Sequence, residues 1–209
     1  MKLQELNLFS GDIGLSSSND WVAKGIRFFT SLHTGKAVKS HAWAAVGDGL
    51  LIESLANIRI NQIEKYDNPV FTELTIYRIP LTENERHSFR KNMMLKAAEG
   101  YGWTKLPMFA LDSIVTAISR LFGRKKPVFF FTSHAKIFSI PVCSQLVVYG
   151  LNKFTSYRIL DVWGNKVEWR VVSPDYFEDL LKLPHNRAEV IYERMPKASV
   201  GVVSSLSFI

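Results

Sequence analysis

Cys143 is the only cysteine among the 209 residues, and it stands between Pro141-Val142 and the run Ser144-Gln145-Leu146-Val147-Val148-Tyr149, whose apolar content suits a helix. At a helix N-terminus a thiol faces backbone N–H groups without a partner in the helix and the positive end of the helix dipole, and both favour the thiolate. A thiolate so placed is a nucleophile for acyl carbonyls. A lone cysteine is also a small buried hydrophobe, so the rest of the chain has to decide between the two. The chemistry needs an imidazole that holds the thiolate as an ion pair and protonates the leaving group, and a polar group that fixes the imidazole tautomer. His41 and Glu53 are the candidates. A glutamate inside Leu50-Leu51-Ile52-Glu53-Ser54 lacks a nearby basic residue in sequence, and an unpaired carboxylate in such a run is costly. The plainer alternatives are a solvent-facing strand position for Glu53 and a strand-edge histidine for His41.

These residues need elements to hold them. Ser40-His41-Ala42-Trp43-Ala44-Ala45-Val46 and Leu50-Leu51-Ile52-Glu53-Ser54 flank Gly47-Asp48-Gly49, which reads as a β-hairpin because Gly and Asp tolerate the positive φ of a tight turn. A two-residue Asp48-Gly49 turn sets Glu53 opposite Ala44, pointing away from His41. A three-residue loop with a glycine bulge sets it opposite Trp43, on the His41 face, and Gly49 suits that version. Upstream, Asn19-Asp20 predicts a cap for a helix from Trp21 to about Ser31, with Trp21, Lys24, Gly25, Phe28 and Phe29 on its inner side. Phe71 to Ile79 alternates like a strand, and Thr82-Glu83-Asn84-Glu85 opens a helix reaching about Glu99 and ended by Gly100. Leu106 to Phe122 places Leu106, Phe109, Ala110, Ile114, Ala117, Ile118 and Leu121 on one helical stripe.

Taken together, Ser10-Gly11-Asp12-Ile13-Gly14-Leu15, Ile26-Arg27-Phe28-Phe29-Thr30, Ser40-His41 with Gly47-Asp48-Gly49 and Ile52-Glu53, and Cys143-Ser144-Gln145-Leu146-Val147 resemble the circularly permuted NlpC-type papain-fold hydrolases of the YiiX and YaeF group. That group is related to the lecithin retinol acyltransferase-like proteins. Ser173-Pro174-Asp175 resembles the segment that follows the cysteine helix in the same group. The resemblance implies an α+β permuted papain-like fold, an antiparallel sheet packed against helices with the nucleophile at a helix N-terminus. It also implies Cys143 as nucleophile, His41 as base and then acid, and Glu53 as the group that orients the imidazole. The chain departs from the group's pattern at two places: Gln145 replaces the usual glutamate after the cysteine, and Tyr101-Gly102-Trp103 stands where Tyr-Asp is common.

No Pro/Gly/Ser-rich linker divides the chain, and 47% hydrophobic residues suffice for one core. We expect a single domain over residues 1–209 with an inserted apolar segment at about 104–132. That segment reads as a core helix and buried strand, or as a cover or interfacial helix whose Arg124, Lys125 and Lys126 meet anionic headgroups. Its helical part, with Asp112 and Arg120 inside it, is too short and polar for a membrane span. His134 reads as a loop histidine, and the apolar tail Ala198 to Ile209 as a docked strand or a contact segment. The N-terminus lacks the apolar stretch of a secretory signal and a single cysteine forms no internal disulfide, which makes a reducing, cytoplasmic setting the expectation, with peripheral membrane association left open. A net charge of +7 favours anionic partners such as cell-wall polymer or a membrane surface. Arg124-Lys125-Lys126 is the single basic run, which argues against nucleic acid. No zinc spacing or phosphate loop is present, so no metal or cofactor is implied. The function read from the chain is thiol-dependent hydrolysis of amide bonds, of cell-wall peptides first. Lipid acyl hydrolysis or transfer at a membrane surface is the alternative, and a non-catalytic binding module of the same fold the second.

Overall fold

In the computed structural model, which describes residues 2–34, 38–54, 58–97, 105–122 and 143–195, six strands form one antiparallel sheet. They are β1 (Ile13–Ser18), β2 (His41–Gly47), β3 (Leu50–Ser54), β4 (Ile58–Gln62), β5 (Phe71–Arg78) and β6 (Glu189–Arg194), ordered β4-β3-β2-β1-β5-β6. Around it lie α1 (Trp21–Thr34), α2 (Glu83–Leu95), α3 (Lys105–Leu121), α4 (Cys143–Phe154) and α5 (Pro174–Leu181). The architecture is α+β, with the sheet packed against helices, as the sequence implied.

Strand β2 is buried from Ala42 to Gly47 because both faces of the sheet are covered. Ala42, Ala44 and Val46 point to one side, where Leu146, Val147 and Leu151 of α4 and Phe89 and Met93 of α2 complete a core. Trp43 and Ala45 point to the other, where they meet Leu51, Leu74 and Ile76 under Leu3, Leu8, Ile63 and Tyr66. Small side chains on the helix side let α4 lie directly on β2.

The hairpin reaches the bulged register by a variant of the expected route. Asp48 and Gly49 form a two-residue turn with φ of 55° and 69°, and Gly47 at φ 89° belongs to a bulge on β2, between Ala45 and Gly47. The extra residue therefore sits in the strand rather than in the loop, and Glu53 pairs with Trp43.

Helix α1 begins where expected, with the Asp20 carboxylate accepting the Ala23 N–H at 2.8 Å, and runs to Thr34. Its orientation corrects the sequence reading: Trp21 is 83% exposed, Lys24 and Phe28 are also exposed, and Ala23 is buried. Helix α3 packs on α1, and Ile114 and Ile118 are exposed, which departs from the core-helix reading of this stripe. An apolar stripe shows which residues share a face, but not whether that face meets a core. Helix α2 opens with the expected capping box of Thr82 and Glu85 and ends at Leu95, short of Glu99. The strand of the core reading of the 104–132 segment, the basic run Arg124-Lys125-Lys126, Tyr101-Gly102-Trp103, His134 and the tail from Ala198 lie outside the described residues.

Candidate active site

His41 is the first residue of β2, and α4 brings Cys143 to it at the helix's first position. Cys143 is 6% exposed and the His41 side chain 12%. The helix start is tied down by its next two residues. Ser144 Oγ donates to the Val172 carbonyl at 2.6 Å and Gln145 Nε2 to the Arg170 carbonyl at 2.6 Å. Gln145, the departure from the expected glutamate, thus fastens α4 to the segment leading into α5.

Glu53 faces His41 from β3, with its Oε2 2.8 Å from Nε2. A carboxylate only accepts, so Nε2 carries the proton and Nδ1 is left for the Cys143 thiol. Glu53 is fully buried, and each of its oxygens has two partners. Oε2 accepts from His41 and from the Tyr66 hydroxyl at 2.6 Å; Oε1 accepts from Asn61 Nδ2 and Lys65 Nζ. These four contacts replace the water a buried carboxylate loses. Asn61, Lys65 and Tyr66 escaped the sequence reading because they lie on β4 and in the turn just after it, and β4 returns alongside β3 and brings a cation back to a glutamate that has none beside it in the chain.

The charges reinforce one another. Burial pushes the His41 imidazolium pKa down, but the bonds to Cys143 and Glu53 outweigh it, and the pKa rises from 6.5 to about 9. Burial pushes the Cys143 thiol up, whereas His41 and the backbone N–H groups of Ala42 and Ser144 pull it below its ordinary value. Burial also opposes ionisation of Glu53, and His41 and Lys65 overcome it, holding the carboxyl well below the usual range. Tyr66, buried and bonded to Glu53, is held in its neutral form. The three groups together favour a thiolate beside an imidazolium beside a carboxylate.

The approach to His41 is held from α5. Ser173 caps that helix by accepting the Tyr176 N–H at 3.3 Å, and Pro174 occupies its first turn. Asp175 Oδ1 then accepts the backbone N–H groups of both Val38 and Lys39, each at 2.9 Å. The Lys39 ammonium is itself buried against Thr75 at 3.0 Å and Glu73 at 3.4 Å. The Ser173-Pro174-Asp175 motif therefore anchors the chain two residues before His41.

No known protein family's sequence profile matches the chain, and no curated protein sequence matches it. Among solved structures, one described as metalloprotein yiiX from Escherichia coli O157:H7 aligns over 91% of this chain and 100% of that one, with a TM-score of 0.57 and 13% sequence identity. The chain has a YiiX-like fold. The neighbour's description names a metal, and the described residues do not fit one. Among the described residues no group of three His, Cys, Asp or Glu side chains is placed to hold an ion. Both oxygens of Glu53 are already taken, one of them by an ammonium group that would repel a cation.

Proposed function

We propose that the chain is a thiol-dependent hydrolase or acyltransferase acting at an acyl carbonyl, with Cys143 as nucleophile, His41 as general acid and base, and Glu53 as the residue that positions His41. This reading takes the fold as a permuted papain-like one. The observation that carries it is the line of contacts from a helix-start thiol through an imidazole to a buried carboxylate. The Cys143 thiolate adds to the carbonyl carbon, forming a C–S bond and an oxyanion, which the Cys143 backbone N–H and one further donor stabilise. Collapse breaks the bond to the leaving amine or alkoxide, and His41 Nδ1 delivers its proton to that group. Water, or an acceptor nucleophile, then attacks the thioester. Nδ1 takes its proton, and release of the acyl product restores the thiolate and imidazolium.

Cell-wall peptide amides and lipid acyl bonds both meet this chemistry. One observation favours the lipid: the outward apolar faces of α1 and α3. The test is intact-mass detection of an acyl adduct after exposure to a peptide acyl donor and to a long-chain lipid acyl donor. The expected result is an adduct on Cys143, lost in Cys143→Ala and slowed in His41→Ala. A chain that forms no adduct with either donor, or forms one insensitive to both substitutions, refutes the catalytic reading and leaves a binding module of the same fold.

A further inference from the structure

Helix α3 is turned opposite to a helix that shields a core from water. Asp112, Ser113 and Thr116 are fully buried, while Leu111, Ile114, Ile118 and Phe122 are exposed, Phe122 by 86%. Positions 111, 114, 118 and 122 recur at three- and four-residue steps and form one stripe, with 112, 113 and 116 on the other side. Helix α1, packed beside it, shows the same habit: Trp21, Lys24 and Phe28 form an exposed stripe and Ala23 is buried. Two neighbouring helices thus turn large apolar residues outward, and α3 also turns polar ones inward. A face of this kind marks an interaction surface.

We infer that the outer face of the α1–α3 pair seats on an anionic lipid surface, and that the Cys143 site, on the reading proposed above, takes its acyl group from a lipid. Charge selects this occupant. Lys24 and Arg120 are exposed on the two helices, whereas the one acid of the pair, Asp112, is buried. A second copy of the chain brought to this face would add like charge to like charge, in a chain that already carries +7. An anionic bilayer reverses the sign of that term, and Trp, Phe and Ile side chains with flanking Lys and Arg are the composition of a helix lying in the headgroup region. Among the described residues no helix is long and apolar enough to cross a membrane. Docking is therefore peripheral. The position suits the chemistry: β1 runs past His41, which pairs with Ser16, and only Asn19 and Asp20 separate the end of β1 from the start of α1 at Trp21, so the platform starts at the end of the sheet where His41 lies.

Sedimentation of the full chain with phosphatidylglycerol vesicles, run beside phosphatidylcholine vesicles, reads this surface without any chemistry. Binding is expected to the anionic vesicles, weakened by salt. The double substitution Trp21→Ser with Ile118→Ser should weaken it by about tenfold or more, because less apolar surface then enters the bilayer. Thermal unfolding should stay near wild type, since both side chains are exposed. Cys143→Ala should sediment as wild type, and thiol alkylation is read separately, so a failed nucleophile and a failed surface leave different records. A folded wild-type chain that does not sediment at low salt, or binding that the double substitution leaves intact, overturns the proposal. So does a dimer, seen by sedimentation velocity, that the double substitution dissolves in a chain without vesicle binding. For the substrate, acylation of Cys143 by a long-chain acyl thioester should accelerate when the donor is presented in the anionic vesicles; an unchanged rate with vesicle-bound protein overturns the lipid assignment.

Discussion

Glu53 lies directly opposite Trp43, and the bulge between Ala45 and Gly47 is what puts it there. Strand side chains alternate faces, so a regular register with the same Asp48-Gly49 turn would pair Glu53 with Ala44 and send its carboxylate into the apolar core beneath α4. One extra residue in β2 turns it instead toward His41, 2.8 Å away.

The first consequence concerns the thiol. With Cys143 held below its ordinary pKa by His41 and two backbone N–H groups, iodoacetamide should alkylate it well below about pH 8.5, where a free thiol is mostly protonated. His41→Ala should shift the alkylation profile to higher pH. A wild-type profile that follows an ordinary thiol, with no shift on substitution, contradicts the assignment.

The imidazole should report its two neighbours. His41 titrates at about 9 because Cys143 and Glu53 outweigh burial. Removing either anion leaves burial opposed by one partner, so Cys143→Ser and Glu53→Gln should each lower this pKa. Histidine ring NMR titration of the three chains measures it, and a value unmoved by both substitutions argues against the contacts.

Glu53 also bears on stability. Glu53→Ala leaves the His41 and Lys65 charges without their carboxylate and should cost about 3–5 kcal/mol. The folded pKa of Glu53 is depressed below its ordinary 4.5. The stability it adds is therefore fully present above pH 4.5 and is lost as pH falls through the folded value. Urea unfolding at several pH values should show the gap between wild type and Glu53→Gln shrinking in acid, and a gap that widens in acid would have the wrong sign.

Gly14 pairs with Trp43, and a Cβ at Gly14 would overlap the indole. Trp43 in turn packs on Tyr66, with ring centroids 5.4 Å apart, and Tyr66 bonds Glu53. Gly14→Ala should therefore destabilise by about 1–3 kcal/mol and also slow alkylation of Cys143. Thermal unfolding and the alkylation rate, measured together, check both parts; a stable variant with an unchanged rate would separate Gly14 from the site.

Sequence alone was enough to single out Cys143, His41 and Glu53, because a helix-start thiol, a strand-opening histidine and a glutamate in an apolar strand are each unusual for local reasons. The hairpin, the Asp20 and Thr82 caps, strand β5 and the helix at Cys143 were legible for the same reason: turn and capping chemistry acts over a few residues. Tertiary structure decided the rest. Lys65, Asn61 and Tyr66 reach Glu53 only because β4 returns beside β3, and Asp175 reaches the Lys39 backbone from the far end of the chain. The outward turn of α1 was likewise invisible, and that of α3 was one of two open readings, since periodicity defines a stripe but its burial depends on which element packs against it. Local preferences are written in neighbouring residues, whereas the partners of a charge and the exposure of a face depend on how the chain comes back on itself.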